Sequence, residues 1–397
     1  MKKMADIYEE ALKAHKQWRG KIDIHSKVEV KTKEDLSLAY TPGVAEPCRK
    51  IYEKPNSVYD YTWKGNTVAV VTDGTAVLGL GDIGPKAALP VMEGKALLFK
   101  EFAGIDAIPI CLDTKDPKEI ITIIKAMAPT FGGINLEDIS APRCVEIERT
   151  LIEELDIPVF HDDQHGTAIV TIAALINALK IVNKKVDDIK VVVSGTGAAG
   201  SAIIKMLHHF GVKTIIAFNI DGALSKTMKR PMNFLEKEIV EITNEEQFNG
   251  SLAEAMVGAD VFIGVSAPKL VSKAMVASMN AGAIVFPMAN PESEIDYQDA
   301  IDAGAAVVGT GRSDHPNQIN NVLAFPGLFK GAFVAGATKI TENMKLAAAK
   351  AIAEIIPDSE LTSEYIIPSP FNQELVEVII REVAETAVQD GVIRKEH

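Results

Sequence analysis

The sequence predicts an α/β protein of two domains, the second built on a doubly wound parallel sheet. Three observations predict this fold. The chain has 397 residues, which is enough for two domains. Short runs rich in Val and Ile alternate with helix-like stretches, as in parallel sheets. A glycine-rich turn over residues 195–200 joins one such run to a helix-like stretch.

The composition is that of an ordinary globular protein, with 47 % hydrophobic and 24 % charged residues. A net charge of −13 argues against nucleic-acid or membrane partners, since both need a basic surface. The three cysteines lack C-x-x-C spacing, so we expect a reducing, cytoplasmic location. Residues 1–18 predict an amphipathic helix rather than a signal peptide. Residues 168–182 predict a buried helix rather than a membrane span.

The first half contains strand-like runs at 67–72 and 105–110, separated by a glycine-rich loop and a helix-like stretch at 86–102. The second half alternates more regularly. It predicts helices at 200–210, 341–356 and 372–390, and strands at 189–193, 214–218, 259–264, 283–287 and 306–309. We place the domain break near residue 160, which gives domains of 1–160 and 161–397.

Two acidic pairs are the first candidate site. Glu137-Asp138 follows a Gly-Gly break, and Asp162-Asp163 follows an apolar strand, where strand ends point into a crevice. Clustered carboxylates suit a hard divalent cation such as Mg²⁺ or Mn²⁺. His161 and His165 flank the second pair, so imidazole ligation is a second, less favoured possibility. A solvated acidic turn is the plain alternative for Glu137-Asp138.

The glycine turn is the second candidate site, because it follows a strand and opens a helix. This context predicts a dinucleotide pyrophosphate at Gly195, Thr196, Gly197, Ala198, Ala199 and Gly200. The ribose partner is either Asp221 or Asn219, which leaves NAD and NADP both open. A metal beside a dinucleotide predicts metal-assisted redox chemistry on a small oxygen-rich molecule. Asn290-Pro291 and Asn320-Asn321 would hold a nicotinamide or a substrate carboxylate, or only bond their own turns.

Taken together, these motifs resemble one family, the malic enzymes in their short bacterial form. The resemblance runs over most of the chain in a constant order. It rests on Tyr40-Thr-Pro-Gly-Val-Ala45, Thr72-Asp-Gly74, Leu78-Gly-Leu-Gly-Asp82, Gly94-Lys95, Glu137-Asp138, His161-Asp-Asp-Gln-His-Gly-Thr167, the glycine turn, Asn290-Pro291, Asn320-Asn321 and Phe325-Pro-Gly327.

The resemblance implies an NAD(P)-dependent enzyme that converts L-malate to pyruvate and CO₂, through oxaloacetate, with Mg²⁺ or Mn²⁺. An N-terminal substrate and metal domain would precede a Rossmann-like domain and C-terminal helices. The resemblance implies a homodimer, with Tyr40 reaching a neighbouring active site. The implied roles are metal ligation by Glu137, Asp138 and Asp163, acid–base chemistry by Lys95, Tyr40 and Asp162, dinucleotide contacts by Ser266 and Asn290, and substrate contacts by Asn290 and Asn321.

One departure concerns the substrate carboxylate. Larger members carry an acidic residue and an arginine after Asp-Gly, where this chain has Thr75 and Ala76. Asn290, Asn321 or another basic residue must then bind that carboxylate. Two rival functions stay open at this point: an oxaloacetate decarboxylase of the same family without net redox, and a nucleotide-sensing protein without chemistry.

Overall fold

The computed structural model describes residues 4–77 and 79–395. Leu78 of the Leu78–Asp82 motif and the first residues of the expected 1–18 helix lie outside the described residues. The described helices are α1 (Met4–Trp18), α2 (Lys33–Ala39), α3 (Ala45–Glu53), α4 (Val58–Tyr61), α5 (Pro85–Ala103), α6 (Pro117–Met127), α7 (Arg143–Glu154), α8 (Asp162–Val182), α9 (Ala198–Phe210), α10 (Phe234–Ile242), α11 (Leu252–Met256), α12 (Lys273–Ala277), α13 (Tyr297–Asp302), α14 (Phe325–Val334), α15 (Glu342–Glu354) and α16 (Leu375–Gln389).

The described strands are β1 (Thr67–Thr72), β2 (Asp106–Cys111), β3 (Gly133–Leu136), β4 (Val159–His161), β5 (Lys190–Ser194), β6 (Thr214–Asn219), β7 (Gly222–Ala223), β8 (Val261–Gly264), β9 (Ile284–Pro287) and β10 (Val307–Val308). Short 3-10 turns lie at Pro55–Ser57, Trp63–Asn66, Ala128–Thr130, Asn321–Leu323 and Asp358–Glu360.

The first sheet has four strands in the order β2-β1-β3-β4, all parallel. Helices α5, α6 and α7 make the crossovers between its strands. Helix α5 begins with Pro85 in its first turn and ends at Gly104, whose φ of 64° suits a glycine C-cap. Because the strands are parallel, the residues that follow β1, β3 and β4 emerge at one edge of the sheet.

The second sheet has six strands in the order β10-β9-β8-β5-β6-β7. The first five are mutually parallel, as the sequence predicts for a Rossmann-like domain. The outermost strand departs from the predicted all-parallel sheet. Strand β7 pairs antiparallel with β6, because the chain turns back at residues 220–221 instead of making a helical crossover.

The core connects the two sheets. Helix α8 leaves the end of β4 and is buried along most of its length. Among the described residues it alone is long and apolar enough to cross a membrane, yet 67 % of its most apolar window is buried inside the protein. Helix α14 packs back on the first sheet, where Phe325 and Phe329 make edge-on contacts with Phe99 at ring-centre distances of 4.8 and 5.4 Å. The C-terminal helices therefore support both sheets.

The N-terminal segment is unlike the rest of the protein. No residue from 7 to 56 is buried, although the segment contains α2, α3 and most of α1. Large apolar side chains stand in solvent there, among them Leu12, Trp18, Ile24, Leu38 and Tyr52. So many exposed large apolar side chains on one segment are typical of an interface.

Helices and strands expected from periodicity are present, with ends shifted by a few residues. The sequence revealed the strands by their Val and Ile content, because a parallel strand is buried on both faces and is therefore apolar along its whole length. The sequence analysis did not identify β3, α6 or α7. Strand β3 is only four residues long and begins at Gly133, and glycine is more typical of a turn. Strand β4 ends at His161, so the proposed break at 160 falls inside this strand.

Candidate active site

The carboxyl edge of the first sheet collects the acidic residues. Asp73 follows β1, Glu137 and Asp138 follow β3, and Asp162 and Asp163 form the first turn of α8 directly after β4. Acidic side chains suit this position, because the N-terminus of a helix carries partial positive charge. The two acidic pairs that lie 24 residues apart in sequence thus meet in space, as predicted.

Three of these carboxylates form a cluster that could hold a cation. Glu137, Asp138 and Asp163 each offer one oxygen, and these oxygens lie within 4.8 Å of one another. The N–H of Asp138 donates to Oδ2 of Asp163 at 2.7 Å, and Asn135 donates to Glu137 at 2.9 Å. Burial and the neighbouring carboxylates raise the pKa of Glu137 well above its ordinary value, despite Lys95. Such an all-oxygen, crowded set fits a hard divalent cation.

Lys95 lies beside this site, inside the protein. Its Nζ is 2.5 Å from Oδ2 of Asp162 and 3.0 Å from Oε1 of Glu137, and it stands 4.3 Å from the ring centre of Phe325. Burial alone would lower the pKa of Lys95. Asp162 and Glu137 outweigh burial and raise this pKa above its ordinary value. The carboxylates therefore hold Lys95 as an ammonium group.

Asp162 links Lys95 to Asn321, because it accepts hydrogen bonds from both side chains. Its Oδ2 also accepts a hydrogen bond from Nδ2 of Asn321 at 2.5 Å. A Cβ at Gly166, one helical turn later, would lie 2.0 Å from Oδ1 of Asp162. Only glycine at position 166 allows the carboxylate to fold back over the helix in this way, which explains one residue of the motif that carried the resemblance.

A second layer of charge fixes the start of α8, and the sequence analysis did not identify it. Glu148 of α7 accepts from the N–H of His161 at 2.9 Å and from Gln164 at 3.1 Å, and it lies 2.9 Å from Nε2 of His165. Lys345 of α15 lies 3.0 Å from Nδ1 of His165. Burial would raise the pKa of Glu148, but His165 and Lys345 lower it to about 2.

The two histidines are not placed like metal ligands. Both ring nitrogens of His165 already have partners, Nε2 in Glu148 and Nδ1 in Lys345. His161 is fully buried, with Nε2 3.8 Å from Oδ2 of Asp163, and burial lowers its pKa. The oxygen-only ligand set is therefore favoured over imidazole ligation.

The turn after β1 lacks the family's arginine, but Arg143 reaches it from α7. Its Nη2 lies 2.9 Å from both Oδ2 of Asp73 and Oγ1 of Thr75. The N–H of Ala76 donates to the carbonyl oxygen of Asp138 at 2.9 Å. Arg143 thus supports the turn that packs against the acidic residues. The sequence offered one signal for it, a basic residue six positions after Glu137.

The glycine turn lines a cavity of about 680 Å³ at the carboxyl edge of the second sheet. A Cβ at Gly200 would lie 1.9 Å from the carbonyl oxygen of Gly195, so the turn can close only with glycine there. A Cβ at Gly197 would meet nothing within 4 Å, which leaves its face open to a ligand. This open turn at the start of α9 fits a dinucleotide pyrophosphate.

The predicted dinucleotide residues divide into three groups. Gly195, Thr196, Gly197, Asn219 and Ser266 line the cavity, with Ser266 2.9 Å from Ser194. Ala198, Ala199 and Gly200 form the first turn of α9. Asp221 and Asn290 are not among the residues that line this cavity. Glu236, which the sequence analysis did not single out, lines it beside Asn219.

Two predicted catalytic or substrate residues lie apart from Lys95. Tyr40 is 66 % exposed on the N-terminal segment, and its hydroxyl has no hydrogen bond to the described part of the chain. Asn290 follows β9 in the second sheet, and its neighbour Pro291 approaches the glycine loop of the first domain, 3.6 Å from where a Cβ of Gly79 would stand. Asn290 therefore lies where the two domains face each other.

Comparisons with known proteins agree with this geometry. The chain matches two family descriptions, "Malic enzyme, N-terminal domain" over residues 19–152 and "Malic enzyme, NAD binding domain" over residues 164–388. The first covers the first sheet up to α7, and the second covers α8 and the second sheet.

Individual relatives carry similar names. The chain is 57 % identical over 388 residues to a bifunctional malic/malolactic enzyme of Bacillus subtilis (strain 168), covering 98 % of this chain and 95 % of the relative. It is 59 % identical over 380 residues to an NAD-dependent malic enzyme of Geobacillus stearothermophilus, covering 95 % and 79 %. The crystal structure of a malic enzyme from Pyrococcus horikoshii Ot3 superposes with a TM-score of 0.93 at 49 % identity, covering 98 % of this chain and 93 % of that one.

Proposed function

The chain belongs to the malic enzyme family, and from this premise we propose how its residues convert L-malate to pyruvate and CO₂ with reduction of NAD⁺. One observation carries the proposal. The carboxylates of Glu137, Asp138 and Asp163 converge beside a buried lysine, and the cavity of the glycine turn is lined by Ala141 and Pro142, which follow Asp138 by three and four residues. Metal, proton acceptor and hydride acceptor would thus meet around one small substrate.

Glu137, Asp138 and Asp163 would hold Mg²⁺ or Mn²⁺. Such an ion acts as a Lewis acid that polarises an oxygen of the substrate and stabilises an enolate. Gly195, Gly197 and the first turn of α9 would bind the pyrophosphate of NAD⁺, which accepts a hydride. NADP is not excluded by this turn, because the pyrophosphate is common to both dinucleotides.

Lys95 would take the proton of the C2 hydroxyl while the hydride leaves C2. It is the one lysine at the acidic edge of the described first sheet, and Asp162 and Glu137 fix its Nζ. Asp162 would set the proton balance of the site through this contact. Glu137, one of the two carboxylates that hold Lys95 as an ammonium group, is also among the residues that would hold the cation, and a positive charge there would lower the pKa of Lys95.

Tyr40 would protonate C3 after CO₂ departs, which completes pyruvate. Because Tyr40 lies on a segment with no buried residue, we propose that a second copy of this chain covers residues 7–56 and takes this tyrosine into its own site. The functional unit would then be a homodimer with two shared sites. The apolar side chains of the segment would be buried in that interface.

Asn321 and Asn290 would bind the substrate from the side of the second domain. Asn321 already lies 2.5 Å from Asp162, and Asn290 lies at the facing edge of the second sheet. Arg143 would contribute indirectly, because its guanidinium is occupied by Asp73 and Thr75.

We also propose that residues 1–160 form a substrate domain and residues 161–397 a dinucleotide domain. We propose a cytoplasmic location for the protein.

The test is the absorbance of reduced nicotinamide, followed with L-malate and Mn²⁺ in parallel with NAD⁺ and NADP⁺, with pyruvate assayed at the end. We expect metal-dependent reduction with one pyruvate for each reduced nicotinamide. Pyruvate formed from added oxaloacetate, without reduction of either dinucleotide by malate, would contradict the proposal in favour of a decarboxylase without net redox.

A further inference from the structure

An arginine that already has partners lies next to the far end of the dinucleotide cavity, in contact with the lining residue Glu236. The cavity runs from the glycine turn past Asn219 and Ile220, at the end of β6, to Glu236 on α10. In Rossmann-like domains the end of this strand meets the adenosine ribose. Arg230 lies in the loop between β7 and α10, directly against Glu236. The site where a 2′-phosphate would distinguish NADP from NAD is therefore within reach of a guanidinium.

Two carboxylates hold this guanidinium in place. Glu236 accepts from Nη2 of Arg230 at 2.7 Å and from Nη1 at 3.0 Å, and Oδ2 of Asp221 lies 2.7 Å from Nε. This forked pairing takes up the donors with which an arginine would otherwise bind a phosphate. The three side chains together carry one positive and two negative charges.

Glu236 is itself fixed by the fold. Its Oε1 accepts from Nδ2 of Asn219 at 2.7 Å, and its Oε2 accepts from the N–H of Asn233 at 3.0 Å. Asn233 and Glu236 form the capping box of α10. Because the carboxylate is anchored by a helix cap and by the strand end, it cannot turn away from Arg230 without losing both contacts. Arg230 also lowers the pKa of Glu236, so the carboxylate is charged at neutral pH.

We propose that Asp221 and Glu236 restrict this enzyme to NAD by sequestering Arg230, and that Arg230 is a latent binding group for the 2′-phosphate of NADP. A ribose 2′-hydroxyl carries no charge and can share the polar edge formed by Asn219 and Glu236. A 2′-phosphate brings about two negative charges into a region whose net charge is already negative. This inference rests on the proposed function, because it assigns the specificity of the same dinucleotide site.

Direct binding titrations test the inference without catalysis. NADH and NADPH are titrated into the full-length protein, without malate or metal, and the change in nicotinamide fluorescence gives each dissociation constant. We expect the wild type to bind NADH more tightly. The double variant D221N/E236Q frees Arg230, while the amide side chain introduced by E236Q can still complete the capping box. Its NADPH affinity should rise about 10- to 100-fold, the range of a charge-assisted contact, while its NADH affinity should not rise, because Glu236 belongs to the edge that receives the ribose hydroxyl.

Two controls show whether the gain in NADPH affinity depends on Arg230 or only on the net charge of the protein. D187N/E241Q removes the same two charges from exposed sites away from this cavity, and it should leave the preference unchanged. Adding R230Q to D221N/E236Q should abolish the gain. D221N alone alters only an exposed side chain and should give a smaller gain of the same sign, which decides the question if E236Q lowers stability.

The outcomes distinguish two failures. If the wild type binds neither dinucleotide, the proposed function is wrong. If NADH binds but NADPH binds equally well, or if no variant gains affinity for NADPH, the role assigned to Asp221, Glu236 and Arg230 is wrong and the proposed function stands.

Discussion

Two regions of the molecule contrast in how completely one chain builds them. The acidic edge of the first sheet is buried and fixed by hydrogen bonds: Lys95 has two carboxylate partners, and Glu148 secures the start of α8. The segment from 7 to 56 contains Tyr40 and has no buried residue. The two groups assigned to proton transfer thus stand in opposite surroundings. Under the proposed mechanism, one chain would preorganise metal ligation and proton removal, whereas protonation of the product would depend on contacts with a second copy of the chain.

The largest effect should come from the fixed region. In D163N the cation site loses one of its three carboxylates, because an amide is a weaker ligand for a hard cation. We expect kcat/KM for malate to fall by roughly a thousandfold or more, with decarboxylation of oxaloacetate falling in parallel and NADH binding unchanged. Mn²⁺ binding by electron paramagnetic resonance provides the direct readout. The exposed D188N serves as control. Unchanged Mn²⁺ affinity in D163N would remove Asp163 from the ligand set.

Replacing the two proton-transfer groups should separate the two half-reactions. K95Q removes the acceptor of the hydroxyl proton, and we expect malate oxidation to fall by about 10²- to 10⁴-fold. Y40F removes the donor for C3, and we expect a similar fall in pyruvate formation from oxaloacetate. Single-turnover assays of NADH and pyruvate measure the two effects separately. Full pyruvate formation from oxaloacetate in Y40F would contradict the role of Tyr40.

A charge placed in the N-terminal segment should dissociate the proposed dimer, and the mass of the protein in solution should fall accordingly. Leu38 is exposed close to Tyr40, and L38E would bury a carboxylate in the proposed interface. We expect sedimentation to show monomers and malate turnover to fall toward the level of Y40F. V257E introduces the same charge at an exposed apolar position of the second domain and should change neither. A dimer that persists in L38E would place the interface elsewhere.

The smallest effect should be on stability rather than chemistry. Although burial would raise it, the contacts with His165 and Lys345 lower the pKa of Glu148 to about 2, compared with 4.5 for the ordinary side chain. A lowered carboxylate pKa stabilises the fold above about pH 4.5, and this contribution of about 3 kcal/mol disappears as the pH falls towards 2. Urea unfolding at pH 7 and at pH 3.5 should show a smaller loss of stability in E148Q than in the wild type. E153Q, exposed on the same helix, should behave as the wild type.

The sequence was most informative where the chain carries motifs. Asp162-Asp163 and the glycine turn were identified because each follows an apolar strand, and parallel strands bring their ends to one edge, whereas Glu137-Asp138 was identified as an acidic pair after a Gly-Gly break. Contacts between distant segments could not be deduced in the same way. Glu148 and Lys345 are 197 positions apart, and Arg230 and Glu236 lie on no motif. The two carboxylate partners of Lys95 could not be deduced for the same reason, because their distances to its Nζ depend on how separate segments fold together.

Mixing two inactive variants tests most directly whether one chain supplies Lys95 and another Tyr40. Y40F and K95Q are purified separately, combined under mild dissociating conditions and returned to assay buffer. If the site is shared, each hybrid dimer contains one site with both native groups. Random pairing then restores malate turnover to about a quarter of the wild-type value. Turnover that stays at the level of the separate variants, while mass spectrometry shows hybrids, would contradict the account.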